Sequence, residues 1–123
     1  MAQRVLILEN DREYQLLLAE IVEGLGYEPV SAVRVGGALR ALQHDIISLV
    51  LLDVKMPHLH GTDFVRYVRG KGNRISVIVV SAYLTRDVLQ ELAALGVRHV
   101  IAKPFTVRRL AEAMTEWLEE KRA

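Results

Sequence analysis

Residues 48–57, with the sequence SLVLLDVKMP, place strong limits on how this chain folds. The four apolar residues 49–52 are typical of a strand that is buried on both faces of a parallel sheet, although so short a run also occurs in buried helices. Asp53 follows directly, and we expect it where the strand ends because burying an unpaired carboxylate is unfavourable. Pro57 has no N–H and stops regular pairing. The stretch therefore predicts a central strand with Asp53 at its carboxyl end, and an ordinary loop-initiating aspartate remains the simpler alternative.

Four other segments also predict strands, and helical patterns separate them. The further predicted strands are residues 5–8, 29–32, 75–80 and 99–102. Amphipathic periodicity predicts helices near residues 14–25, 36–44, 64–68, 85–95 and 106–118. The predicted buried face of the first helix consists of Tyr14, Leu17, Leu18, Ile21, Val22 and Leu25. That of the last helix consists of Val107, Leu110, Ala111, Met114, Trp117 and Leu118. Gly26 and Gly96 are predicted to end helices, and Thr85 to cap one.

Composition narrows the class of protein. The 123 residues suit one domain, which we expect to span residues 1–123. The formal net charge of +1 gives no reason to expect a nucleic-acid or membrane partner. No cysteine is present and no segment resembles a signal peptide or a membrane span, which favours a cytoplasmic protein. The four histidines lack the spacing of zinc ligands and are predicted to be surface or loop residues: His44, His58, His60 and His99.

Alternating strands and helices predict a doubly wound α/β fold, a three-layer sandwich around a parallel five-stranded sheet. The flavodoxin-like strand order 2-1-3-4-5 is a common case, with ligands bound beyond the carboxyl ends of the strands. Polar residues follow the predicted strands at that edge: Glu9, Asn10, Asp11, Asp53, Ser81 and Lys103. Neighbouring carboxylates repel each other unless a positive charge lies between them, and Mg²⁺ is a natural candidate. A carboxylate nucleophile with a cation, an ammonium and a hydroxyl suits phosphoryl transfer.

Together these motifs resemble a response-regulator receiver domain of two-component signalling. The residues that carry the resemblance are Glu9-Asn10, LLDVKMP with Gly61 downstream, Ser81-Ala82 and Lys103-Pro104-Phe105. The resemblance implies that Asp53 accepts a phosphoryl group from a histidine kinase or phosphotransfer protein, so that the domain acts as a switch rather than as an enzyme. It implies that Ser81 and Lys103 contact the phosphoryl oxygens, and that the Lys103–Pro104 bond is cis. The implied Mg²⁺ ligands are Glu9, Asn10, Asp53 and the backbone carbonyl of Lys55.

Three positions depart from the family pattern. Asn10 replaces the second acid that usually follows the first strand, which predicts weaker metal binding; a helix cap is the alternative role for this residue. Val100 lies three residues before the lysine, where the family usually has its switch aromatic. His60 precedes Gly61 where an acid is common. In addition, Lys55 and Tyr83 flank the attacking water in the family geometry, and we expect them to slow loss of the phosphoryl group.

The resemblance also suggests how partners are bound. The family uses the face formed by the fourth helix, fifth strand and fifth helix for output partners and dimers, so a homodimer is one expected form of this protein. Four arginines fall near that face, although solvated charges are the more common reading: Arg86, Arg98, Arg108 and Arg109. The alternative function is a pseudo-receiver, a phosphorylation-independent interaction module, which the departures at Asn10 and Val100 favour. A flavodoxin-like cofactor binder is rejected because the first loop is acidic and lacks a phosphate cradle.

Overall fold

The computed structural model describes residues 2–56 and 60–122, in which strands and helices alternate along the chain. The strands are β1 (Arg4–Leu8), β2 (Glu28–Ala32), β3 (Ile47–Leu52), β4 (Ser76–Ser81) and β5 (His99–Ala102). The helices are α1 (Arg12–Gly24), α2 (Val35–His44), α3 (Gly61–Gly70), α4 (Arg86–Ala94) and α5 (Val107–Arg122). The predictions for Pro57 and His58 concern positions outside the described residues.

All strand pairs of the sheet are parallel, in the order β2-β1-β3-β4-β5. The predicted fold class and strand order are therefore confirmed. Strand β3 lies at the centre, with Leu8 of β1 beside Leu52 and Val79 of β4 on the other side of Leu52. Residues 49–52 are almost fully buried, as their continuous apolar run predicted. Because the strands are parallel, their carboxyl ends meet at one edge of the sheet.

Alternate strand residues face two separate halves of the core, which makes the fold a three-layer sandwich. Leu6 and Leu8 of β1 belong to the half covered by α2, α3 and α4. Val5 and Ile7 belong to the half covered by α1 and α5. This period-two alternation is the geometry of a strand, and burial on both faces explains why apolar residues continue without interruption.

The buried faces of α1 and α5 differ from the predicted ones at their margins. Leu17 in α1 and Leu25, which caps its end, are 39% and 41% exposed, whereas Gln15 is buried. In α5, Val107 is 56% exposed and Ala113 is fully buried. Each predicted apolar stripe was wider than the part of the helix surface that meets the sheet. The apolar residues at the margins of a stripe therefore face solvent.

Helix ends follow the predicted chemistry at most positions. Gly26 and Gly96 have φ angles of 92° and 83°, the left-handed conformation that glycine adopts without strain. Thr85 caps α4 by accepting a hydrogen bond from the backbone N–H of Val88 at 3.2 Å. The cap of α1 is Asp11, so the alternative role of Asn10 as the helix cap was wrong. None of the described helices is long and apolar enough to cross a bilayer.

Candidate functional site

Four polar side chains converge at the carboxyl edge of the sheet, where the strand-end residues were predicted to meet. They are Glu9 after β1, Asp53 after β3, Ser81 at the end of β4 and Lys103 after β5. Three of them are buried, with exposures of 1% for Glu9, 9% for Asp53 and 0% for Ser81. Neighbouring parallel strands that end at the same edge place these residues together. Buried polar groups of this kind require partners, and each finds them within the cluster.

Asp53 accepts three hydrogen bonds through its carboxylate. The hydroxyl of Ser81 donates to Oδ1 at 2.7 Å, and the backbone N–H of Lys55 donates to the same oxygen at 3.1 Å. Lys103 Nζ donates to Oδ2 at 3.1 Å. The backbone N–H of Asp53 bonds to the carbonyl of Leu8 at 3.0 Å, which ties the residue to β1 just beyond the sheet. The Asp53 carboxylate is therefore held in one orientation by groups from several elements.

Lys103 bridges the two buried carboxylates. Its Nζ lies 2.5 Å from Glu9 Oε1 and 3.1 Å from Asp53 Oδ2. Burial opposes the charged ammonium, but hydrogen bonds to Glu9 and Asp53 outweigh it and raise the pKa of Lys103 above 10.5. The ammonium thus supplies the positive charge that two adjacent carboxylates need.

Glu9 has an unusual environment for an acid. Burial raises the pKa of Glu9 above its ordinary value of 4.5, against hydrogen bonds from Lys103 and from the backbone N–H of Asp11. The nearby charge of Asp53 acts in the same direction as burial. Oε2 accepts the Asp11 hydrogen bond at 3.0 Å. Glu9 is therefore a carboxylate whose charge is only partly offset by its surroundings.

Two residues of α1 complete the cluster, and sequence reasoning missed both. Gln15 Nε2 donates to the backbone carbonyl of Glu9 at 3.3 Å. The ring of Tyr14 lies under Lys103 Nζ, with 4.1 Å from the nitrogen to the ring centroid, and packs against Phe105 at 6.0 Å between centroids. The sequence pattern predicts Tyr14 only as part of the buried face of the first helix. Its place in the first turn of that helix, a few residues after Glu9, was the one indication that it could reach the cluster.

The other predicted site residues lie at the margin of the cluster. Asn10 and Lys55 are exposed. Tyr83 is 42% exposed, and its backbone N–H donates to Ser81 Oγ at 3.1 Å. The edge of the Tyr83 ring meets His60, with 5.7 Å between centroids. His60 is half-buried and immediately precedes α3, which agrees with the predicted surface or loop position. For His99 that prediction was wrong, because this residue lies in β5 and is half-buried.

Val100 occupies β5 beside Val79 of β4, and it packs against the core half that contains α4. It is half-buried and bears no polar group. Where the family usually has its switch aromatic, this chain therefore has a small apolar side chain that packs on the core. The predicted cis Lys103–Pro104 peptide bond is present.

The donor chemistry of the cluster fits a hard divalent cation. Carboxylate and amide oxygens are the ligands that Mg²⁺ prefers, and Glu9, Asp53 and Asn10 carry them. Within residues 2–56 and 60–122, no group of three or more His, Cys, Asp and Glu side chains is arranged to hold a metal. A cation here would therefore need amide, carbonyl or water oxygens in addition to the two acids. The bridging Lys103 demonstrates that the carboxylate pair accommodates positive charge.

Comparison with known proteins identifies the family. The sequence pattern of the response regulator receiver domain matches residues 5–115. The chain belongs to the response-regulator receiver domain family. It is similar to sporulation initiation phosphotransferase F of Bacillus subtilis (strain 168), with 30% identity over 121 residues that cover 98% of each chain.

Further comparisons place the receiver domain among two-component response regulators. A probable C4-dicarboxylate response regulator, DctR, of Halalkalibacterium halodurans is 33% identical over 94% of this chain and 51% of its own length. A CheY-like receiver domain protein from Methanospirillum hungatei JF-1 superimposes with a TM-score of 0.92 at 26% identity, covering 99% of this chain and 98% of its own. Receiver domains are phosphoacceptor switches rather than classical enzymes, and the family binds Mg²⁺ at the phosphorylation site.

Proposed function

We propose that this receiver domain, spanning residues 1–123, accepts a phosphoryl group on Asp53 in a Mg²⁺-dependent reaction. The donor would be a phosphohistidine on a sensor histidine kinase or a phosphotransfer protein. The observation that carries the proposal is the environment of Asp53: a carboxylate at a central strand end, fixed by Ser81 and Lys103 at 2.7 and 3.1 Å. A nucleophile that is already oriented reacts faster than one that must be ordered during the reaction.

The transfer would exchange one bond for another. A carboxylate oxygen of Asp53 forms a bond to phosphorus while the phosphorus–nitrogen bond of the donor breaks, and the imidazole nitrogen retains the electron pair. Lys103 and Ser81 each reach the acceptor carboxylate with a polar hydrogen. Both are placed to donate to the oxygens of the transferred group and to offset its charge. The product is an acyl phosphate whose oxygens remain within reach of these two donors.

The proposed metal ligands are Glu9, Asn10, Asp53 and the backbone carbonyl of Lys55. Bound Mg²⁺ supplies positive charge that offsets the phosphoryl oxygens during transfer. Asn10 contributes an amide oxygen but no negative charge, so we expect weaker metal binding than with a second acid.

Phosphorylation would alter the surface formed by α4, β5 and α5, where we place the output partner. Lys103 follows β5 directly, and Ser81 ends β4 next to the loop that enters α4. Changes in the contacts of either residue therefore act on elements of this surface. Val100 has no aromatic ring that could change its rotamer. We therefore expect phosphorylation to act on this surface through the backbone of the loops that follow Ser81 and Lys103.

The test is intact mass after incubation with acetyl phosphate and Mg²⁺. We expect a gain of about 80 Da, one phosphoryl group, in the wild type. Asp53→Asn removes the acceptor and is expected to show no gain. Asp87→Asn is the matched control, because it makes the same substitution at an exposed position in the first turn of α4 and should keep the gain. A gain that persists in Asp53→Asn would refute the assignment of the acceptor.

The second candidate function is a pseudo-receiver that binds partners without phosphorylation. It is favoured by Asn10 and by Val100, whereas the presence of Asp53, Ser81 and Lys103 argues against it. Calorimetric titration with Mg²⁺ separates the two functions. Absence of both Mg²⁺ binding and mass gain would support the pseudo-receiver, whereas either one would favour the phosphoacceptor.

A further inference from the structure

A polar cavity lies at the opposite edge of the sheet from Asp53. It has a volume of about 300 Å³ and opens where β4 and β5 begin. Its walls come from the end of α3, the loop that follows it, the start of β5 and the last turns of α5. The charged and aromatic side chains that line it are Arg69, Arg74, Arg98, His99, Trp117, Glu120 and Lys121.

The lining of this cavity is strongly basic. Its four cationic side chains and Glu120 give it a net charge of +3, whereas the formal charge of the whole chain is +1. Glu120 is directed to one side, where it pairs with His99 at 3.1 Å and lies 3.9 Å from Arg98. Positive charge is thus concentrated at this edge and is not a general property of the surface. Such a concentration attracts anions.

Arg69 forms a fixed wall of the cavity. Its guanidinium donates to the backbone carbonyls of Leu95, Asn73 and Ile75 at 3.0, 3.2 and 2.8 Å. Burial and the neighbouring charge of Arg74 lower the pKa of Arg69 below its ordinary value. The two positive charges therefore repel each other, and an anion bound near them would relieve that repulsion.

Trp117 adds an unused hydrogen-bond donor. The residue is only 3% exposed, and its indole Nε1 has no hydrogen-bond partner among residues 2–56 and 60–122. Lys121 Nζ lies 5.4 Å from the centroid of the same ring. A buried indole N–H without a partner is unfavourable, since it gives up its hydrogen bond to water. Trp117 also lines the cavity, so a bound ligand would change the surroundings of its indole ring.

We propose that this cavity binds the polyphosphate group of a small molecule. A single phosphate carries a charge of about −1.5 to −2 near neutral pH, so two linked phosphates match the net charge of the lining better than one. Arginine suits the role because its planar guanidinium donates in pairs to phosphate oxygens. Arg69 is engaged by the backbone, so Arg74 and Lys121 are the available cations. Arg98, whose side chain is 76% exposed, joins them if its long pair with Glu120 at 3.9 Å opens. The site is independent of the proposed reaction at Asp53.

Trp117 is the one tryptophan of the chain and therefore reports on the cavity directly. The experiment is a titration of the full chain with sodium pyrophosphate at constant ionic strength, followed by tryptophan fluorescence and repeated by calorimetry. We expect saturable binding to the wild type. Combined Arg74→Gln and Arg98→Gln should weaken it by about tenfold or more. The control, combined Arg108→Gln and Arg109→Gln, removes the same charge at the start of α5 and should bind as the wild type does.

Other outcomes would overturn the proposal. These are a wild type that does not saturate by about 10 mM pyrophosphate, an equal loss of affinity in both double variants, or sulfate binding as tightly as pyrophosphate. Binding of poly-glutamate without binding of pyrophosphate would assign the cavity to acidic proteins and refute the small-molecule ligand. Circular dichroism checks folding, and the single variants Arg74→Gln and Arg98→Gln replace the double variant if it unfolds.

Discussion

The ammonium of Lys103 lies 4.1 Å from the centroid of the Tyr14 ring while it bonds to Glu9 and Asp53. The lysine is therefore held by two carboxylates and by the negative face of an aromatic ring. A cation over a ring at this distance is attracted by roughly 0.5–2 kcal/mol, more when desolvated. Tyr14 thus contributes to the position of a group that we place next to the transferred phosphoryl.

Replacing Tyr14 with leucine should slow phosphorylation of Asp53. The substitution removes the ring under Lys103, and a loss of about 1 kcal/mol in positioning corresponds to roughly a fivefold lower rate. Tyr14→Phe keeps the ring and should keep most of the rate. The measurement is the initial rate of mass gain with acetyl phosphate. Tyr67→Leu is the matched control, because Tyr67 is exposed on α3 and lies under Lys71 at 5.6 Å.

An unchanged rate in Tyr14→Leu would contradict this role for the ring. An equal loss in Tyr14→Leu and Tyr67→Leu would point instead to a general effect of removing an aromatic residue. A reduced rate in Tyr14→Phe would indicate that the hydroxyl, rather than the ring, is required. The three variants together therefore separate the contribution of the ring from that of packing.

The part of the site that lies at the strand ends was predictable from the sequence. Glu9, Asp53, Ser81 and Lys103 each follow or end an apolar run, and parallel strands bring such positions to one edge. The support from α1 was not predictable in the same way. Tyr14 has helical spacing with the apolar residues of α1, so the pattern alone assigned it to the core. Its contact with Lys103 depends on how α1 lies against the end of β5, which is a tertiary property.

The helix faces illustrate the same limit. Three consecutive leucines, residues 16–18, leave the rotation of α1 undetermined by periodicity, and only Leu18 is buried. The buried face also includes Gln15, because its amide reaches the Glu9 carbonyl. A hydrophobic pattern therefore predicts where a helix lies in the sequence more reliably than it predicts which side of the helix packs on the sheet.

The buried acid Glu9 should make stability depend on pH in a defined window. Its pKa is raised in the folded state, chiefly by burial, so the folded protein holds this proton more tightly than the unfolded chain does. The stability that Glu9 contributes is present below about pH 4.5 and is lost as the pH rises from there through the raised pKa. Relative to Glu9→Gln, the wild type should therefore lose stability across this window.

Urea unfolding at a series of pH values without Mg²⁺ measures this difference. Glu23→Gln is the control, because it removes one acid from an exposed position on α1. A stability difference between wild type and Glu9→Gln that stays constant as the pH rises would contradict the prediction. A difference that changes in the opposite direction would mean that Lys103 stabilises the Glu9 carboxylate more than burial destabilises it.

Lys55 and Tyr83 should slow loss of the phosphoryl group. The backbone N–H groups of both residues bond to the cluster, at Asp53 Oδ1 and Ser81 Oγ, so their side chains extend from its margin. Tyr83 is further held by the edge contact with His60. Replacing both Lys55 and Tyr83 with alanine should open a path for water and raise the dephosphorylation rate by about tenfold, or roughly 1.4 kcal/mol in the barrier.

The decay of the phosphorylated mass after removal of acetyl phosphate gives this rate. Combined Lys71→Ala and Tyr67→Ala is the control, since it removes the same two residue types from a surface pair at the end of α3. Equal decay in the wild type and in the Lys55 and Tyr83 double variant would refute the prediction. So would rapid decay of the wild type that is insensitive to both substitutions.

The loop after Asp53 depends on Gly61. A Cβ atom at Gly61 would lie 2.6 Å from Val54 Cα and 2.8 Å from the backbone carbonyl oxygen of Asp53, closer than real contacts allow. The backbone N–H of Gly61 also bonds to the carbonyl of Val54 at 2.6 Å. Gly61→Ala should therefore displace the backbone that carries the acceptor and destabilise the fold by about 1–3 kcal/mol. Because Asp53 moves with this backbone, phosphorylation should slow as well.

Gly70→Ala is the matched control for Gly61→Ala. Gly70 lies in the same helix, α3, and a Cβ there would meet nothing within 4 Å. Alanine favours helix more than glycine does, so this variant should be neutral or more stable by about 0.5–1 kcal/mol. Urea unfolding and the initial rate of mass gain are measured for both variants. If Gly61→Ala matches Gly70→Ala in stability and rate, the close approach of α3 to the Asp53 backbone does not hold the acceptor in place.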